Sequence, residues 1–163
     1  MKRFLKHILM PKFIVRRYFS RADFSEIEAA IKGSEKLHSG EIVFAAEAHL
    51  EPLQALKNIT AHQRALEVFS NLRVWDTEKN NGVLIYLLLA EKNIEIIADR
   101  GINAVVASSF WDEICSSVEK SFRAGEFKSG ILSAVSVITS ELQKHFPDSS
   151  DNKDELSNTT RIL

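Results

Sequence analysis

The sequence predicts an α/β protein: a three-layer α/β/α sandwich with a small mixed sheet, a central hairpin plus one parallel strand, and helices on both faces. Residues 83–90 are apolar without interruption, as expected for a central strand buried on both sides. A short polar link, "EKN", joins them to a second apolar run at 94–98, which makes the pair an antiparallel hairpin. Segments of helical period lie before and after that hairpin, and helices covering both faces of a sheet are the economical packing. A chain of 163 residues, 45% hydrophobic and 26% charged, is sized for one such domain.

In chain order, residues 1–21 form a basic arm. They hold Lys2, Arg3, Lys6, Lys12, Arg16, Arg17 and Arg21 and no acid; since the whole chain stands at −1, the remainder carries −8. "DFSE" at 23–26 fits a capping box, with Asp23 at its head, and opens an amphipathic helix over 24–38 through Phe24, Ile27, Ile31, Ser34 and His38. "SGEIVFAAEAHL" reads as a turn and a strand at 41–49. Pro52 begins a helical stretch, and "TAHQ" at 60–63 is a second capping box, followed by Ala65, Leu66, Phe69 and Leu72 on one face.

After the hairpin, helical period returns over 102–122 and again from Phe127 to Leu142, ending before Pro147. The polar tail 148–163 has the composition of a disordered segment. The domain proper therefore occupies 22–147, in the order α-β-α-β-β-α-α. A right-handed crossover makes strand 41–49 parallel to strand 83–90.

That topology gathers polar residues at one end of the sheet. The start of strand 83–90 and the finish of strand 94–98 lie together, bringing Asp76, Glu78, Asn80, Asn81, Asp99 and Arg100 close, with Glu41 beside them. Hard oxygen donors in adjacent loops suit Ca²⁺ or Mg²⁺. The same residues are also ordinary turn formers, and Asp99 is placed to cap the next helix. Both readings stand.

Several chemistries lack their signatures. There is no phosphate-cradling Gly-rich loop with Lys-Ser/Thr, no Gly-x-Ser-x-Gly turn and no H-E-x-x-H pair among the five histidines. Cys115 is the only cysteine, which excludes an intrachain disulfide and a multi-thiolate metal site. Outside the arm no aromatic residues alternate with basic ones, so nucleic acid is not an expected partner. No apolar run approaches the roughly 20 residues that span a bilayer.

The arm has two readings. Phe4, Ile8, Pro11, Val15 and Phe19 recur at helical spacing among its charges, the pattern of a helix in an anionic membrane interface, with Pro11 as a kink. Lys2, Arg3, Lys6, Lys12, Arg16 and Arg17 would then contact lipid headgroups. Alternatively the arm docks on its own acidic body or is partly disordered. The resulting expectation is a cytoplasmic protein, peripheral at the inner membrane surface.

"NNGVLIYLLLAEKNIEIIADRGI", then "FWDEI", then "SFRAGEFKSGI", together with the earlier "SEKLHSGEIVFAAE", resemble the TPM domain, and most closely its short stand-alone bacterial members. The resemblance covers about residues 22–147 and implies an α/β/α sandwich. It implies a divalent-cation role for Asp76, Asn81 and Asp99, the positions that match the family's acidic and amide loop residues. The family's phosphatase label implies an alternative, a weak metal-dependent acid phosphatase at the same loops, although no C-x₅-R or D-x-D-x-[TV] nucleophile motif is present. The family's auxiliary members imply a non-catalytic module that assists a protein or membrane complex. A metal-free interaction domain is the third alternative.

Overall fold

The computed structural model describes residues 2–148, 156 and 159–163. Its helices are α1 (Lys2–Leu9), α2 (Val15–Tyr18), α3 (Arg21–Ser34), α4 (Pro52–Leu56), α5 (Ala61–Asn71), α6 (Arg100–Asn103), α7 (Ser108–Arg123) and α8 (Phe127–His145). The strands are β1 (Glu41–Glu47), β2 (Gly82–Leu88), β3 (Asn93–Ala98) and β4 (Arg161–Ile162), in the spatial order β3-β2-β1-β4.

The sheet is mixed, as expected. β1 runs parallel to β2, with Glu41 opposite Gly82 and Glu47 opposite Leu88. β2 and β3 form the antiparallel hairpin, Val83 opposite Ala98. Every residue of β1 and β2 is buried, whereas β3 is only partly covered because it is the edge. Lys92 takes the left-handed conformation that closes the hairpin turn.

The fourth strand departs from expectation. The tail's composition is that of a disordered segment, yet Ala45 pairs with Arg161 and Ala46 with Ile162 along the free edge of β1. The carboxylate of Glu28 accepts hydrogen bonds from Thr160 N and Oγ1, both at 2.8 Å, which ties this end to α3. Pairing an open edge and burying part of Leu163 outweighs a polar composition that only disfavours structure on average. Residues 149–155, 157 and 158 of that tail lie outside the described residues.

Side chains alternate across the sheet and so feed two cores. Ile42, Phe44, Val83, Ile85 and Leu87 pack under α3, α7 and α8. Val43, Ala45, Leu84, Tyr86 and Leu88 pack on the other side with Ala61, Ala65 and Val68 of α5. The three-layer sandwich follows directly.

Two local expectations are corrected. The capping box of α3 is built by Ser20 and Asp23, not by Asp23 and Glu26: Ser20 Oγ accepts from Asp23 N at 3.1 Å, and Asp23 Oδ2 accepts from Ser20 N at 2.7 Å. Asp23 closes the box as the third helical residue, because Ser20 is also able to cap and starts the helix one turn earlier. The helix expected over 102–122 is broken between α6 and α7. Asn103 holds the break, donating to Ala98 O and accepting from the Trp111 indole, each at about 3 Å. The "TAHQ" box forms as read, with Thr60 and Gln63 capping α5 reciprocally.

The arm lies on the body. α1 stops at Leu9 and a 3-10 turn, Lys12–Ile14, follows Pro11, whose ring cannot continue a helix. Val15 and Phe19 are fully buried, so these two members of the apolar stripe are core residues rather than membrane-facing ones. His7 is also fully buried. Its Nδ1 accepts from Leu50 N at 3.1 Å, which leaves the proton on Nε2, 2.8 Å from Glu91 Oε1. Arg3 reaches the same Glu91 oxygen at 2.7 Å and also donates to Ile59 O.

Candidate functional site

The polar residues do converge on one end of the sheet, but the pleat divides them. In β1, Glu41 shares the parity of Val43 and Ala45, and in β3 Asp99 continues the parity of Ile97. Both therefore lie on the α5 face, flanking Gly82, to which Asp99 is joined by an Asp99 N to Gly82 O bond of 2.9 Å. A Cβ at Gly82 would collide with the carbonyl oxygen of Val74. That glycine is what lets the loop 73–81 close over the strand ends. Asn81 shares the parity of Val83 and Ile85 and so belongs to the opposite face.

The individual environments differ. Asp99 caps α6: its Oδ1 accepts from Arg100 N at 2.7 Å. Its Oδ2 is buried with no hydrogen-bond partner among the described residues. Asn81 is fully buried; its N donates to Thr77 Oγ1 at 3.0 Å and its Nδ2 to Ser39 O at 3.1 Å, while Oδ1 has no such partner. Glu41 is buried as well. Asn80 Oδ1 is taken by Arg100 Nε at 2.9 Å, and its carbonyl accepts from Gly101 N.

Asp76 and Glu78 are exposed, and Asp76 is paired with Arg73 at 2.8 Å. Lys79 reaches across to Ser39 Oγ at 3.1 Å. Among the described residues no three His, Cys, Asp or Glu side chains come together in the manner of a metal centre. The pleat thus separates Asn81 from Asp99, and the expected grouping of Asp76, Asn81 and Asp99 around one point does not form. The contributions of Thr77, Ser39 and the Val74 carbonyl were missed in the sequence; only the glycine of "NNG" hinted at a close backbone approach.

The opposite end of the sheet holds a second buried polar group around Glu47, a residue the topology places there, whose partners Arg64 and Tyr86 the sequence did not reveal. Glu47 accepts from Arg64 Nε at 2.9 Å and Nη2 at 3.1 Å, and from Tyr86 Oη at 2.6 Å. Arg64 Nη1 is spent on Glu67 at 3.0 Å. Burial disfavours the Arg64 charge, but the bonds to Glu47 and Glu67 more than reverse this and hold it protonated above its ordinary value. Burial, reinforced by Glu47, pushes the Tyr86 phenol well above its usual range. The group is fully satisfied. Cys115 offers no nucleophile, since burial pushes its thiol up to about 12.

The profile of the TPM domain matches residues 16–141 of this sequence. The chain belongs to the TPM domain family. This TPM domain is similar to BA42 protein from the psychrophilic bacterium Bizionia argentinensis, with 36% identity and a TM-score of 0.77 over 88% of this chain and 94% of that one. The N-terminal domain of a P. gingivalis protein shares the fold, with a TM-score of 0.65 at 15% identity over 86% of this chain and 94% of that one. No curated protein matches this sequence. Among the described residues no helix is long and apolar enough to cross a membrane.

Proposed function

We propose that this TPM domain is a non-catalytic binding module that takes one divalent cation, Ca²⁺ or Mg²⁺, at the loop end of its sheet and assists a protein or membrane partner. The observation that carries the reading is Asp99 Oδ2, buried and without a hydrogen-bond donor while its twin oxygen caps α6. Leaving a buried acceptor unmatched costs about 1–3 kcal/mol, more when it is charged. A hard cation is the complement such an oxygen lacks. Glu41, in register across Gly82, and the Val74 carbonyl supply further oxygens on the same face. Asn81 Oδ1 lies at the same end but on the opposite face, outside this donor set.

Titration of the full chain with Ca²⁺ and Mg²⁺, followed by amide NMR, tests this. Saturable shifts confined to Gly82, Asp99, Arg100 and their neighbours are expected, and Asp99→Asn removes them. Because Asn still caps α6, that variant keeps wild-type stability to within a few tenths of a kcal/mol, whereas Asp99→Ala loses about 1 kcal/mol. Absence of localised shifts at millimolar cation, or identical shifts in Asp99→Asn, overturns the reading.

A further inference from the structure

The arm's exposed side keeps only part of the face that the sequence stripe marked, Ile8 among it. With Val15 and Phe19 in the core, other apolar side chains are left outside. Leu9 and Phe13 are 76% and 72% exposed, and Leu5 and Ile8 accompany them on α1. α1 packs against α4, where Leu53 and Leu56 are 64% and 65% exposed. These six account for half of the twelve large apolar residues that the described chain exposes, and all six belong to two neighbouring short helices and the turn beside them. Single exposed leucines need no explanation; a concentration of this kind marks a contact surface.

The charges around the patch say what it contacts. Among the described residues, Arg3 is turned inward to Glu91 and Lys12 is paired with Glu51 at 3.2 Å, but Lys2, Lys6, Arg16 and Arg17 form no ion pair. All four are exposed. Beside the patch runs an open groove of about 640 Å³, lined by Leu5, Leu9, Met10 and Ile14, with Lys2 and Lys6 on its walls. Aliphatic and aromatic side chains next to unpaired cations are the two components of an interfacial binding surface: the first enter the acyl boundary and the second meet lipid phosphates. A second copy of the chain would be a poor occupant, since a symmetric contact sets one basic rim against another.

We propose that the exposed face of α1, the Lys12–Ile14 turn and α4 docks on an anionic membrane surface, inserting Leu9 and Phe13 and setting Lys2, Lys6, Arg16 and Arg17 against lipid phosphates. The arm does so while seated on the body. Its His7, Val15 and Phe19 stay buried, so docking needs no unfolding. The proposal stands independently of the cation site.

Co-sedimentation of the full chain with phosphatidylglycerol-containing vesicles, against pure phosphatidylcholine vesicles, tests it. Binding is expected to anionic vesicles and to weaken with added salt. Phe13→Ser lowers the affinity about tenfold, and Lys6→Ser about fivefold. Both positions are exposed, so the thermal midpoint stays that of the wild type. In a Phe13→Trp variant, anionic vesicles shift the new indole emission to the blue. The proposal fails if anionic vesicles do not bind, if neutral ones bind equally, or if Phe13→Ser and Leu9→Ser leave binding unchanged. It also fails if those substitutions abolish a lipid-free self-association or a complex with a purified acidic protein while vesicle binding persists.

Discussion

The two ends of the sheet bury carboxylates under opposite regimes. At the end of β1, Glu47 is saturated: a two-toothed guanidinium and a phenol satisfy its oxygens, and Arg64 in turn is anchored to Glu67. At the loop end, Asp99 and Asn81 each keep one buried oxygen without a donor. The contrast sets polar burial that serves the fold against the polar burial on which the proposed cation site rests. A satisfied network needs nothing more, and an unsatisfied one is tolerated where something else is to bind.

The saturated end is the more sensitive to mutation. Arg64→Ala leaves Glu47 and Tyr86 buried against each other with no compensating charge, and should lower unfolding free energy by about 3–5 kcal/mol in denaturant titration. If that loss stays under 1 kcal/mol, roughly the value of a surface pair, the contrast between the ends dissolves. Next in size is the backbone closure at the loop end. Gly82→Ala drives a methyl into the Val74 carbonyl and should cost about 1–3 kcal/mol, with the cation response lost along with it.

The smallest expected effect sharpens the picture of the loop end in pH. His38, immediately before Ser39, is held below its ordinary value near 6.5, chiefly by burial, against backbone hydrogen bonds and the charge of Asp148. A base with a depressed folded pKa binds fewer protons folded than unfolded. Its contribution is therefore intact above about 6.5 and is lost as the pH falls below it, through the lower folded value. Stability measured against pH should show that decline, and His38→Gln should flatten it.

Much of the fold was legible because its signals are local. The apolar run of β2 and the polar link to β3 left one pairing open, and "TAHQ" specified a helix start to the residue. What stayed hidden depends on tertiary context. Nothing near Arg161 announces a strand until β1 offers a free edge. The candidate site was half legible. Topology put Asp99 and Asn81 at one end, but the pleat that sends them to opposite faces needs the register, and the exposure of Asp76 depends on the course of the 73–81 loop. The arm left two readings open for a similar reason: helical spacing identifies an apolar stripe without saying whether protein or lipid covers it.

The seating of His7 carries a consequence in time. The backbone amide and the carboxylate it bonds stand 43 and 84 positions further along the chain. The arm is thus made before anything it rests on, and it gains its place only after β1 and the hairpin have paired. Long-range closure of this kind falls late in folding. During synthesis α1 is a basic, apolar segment made before the residues that will receive it.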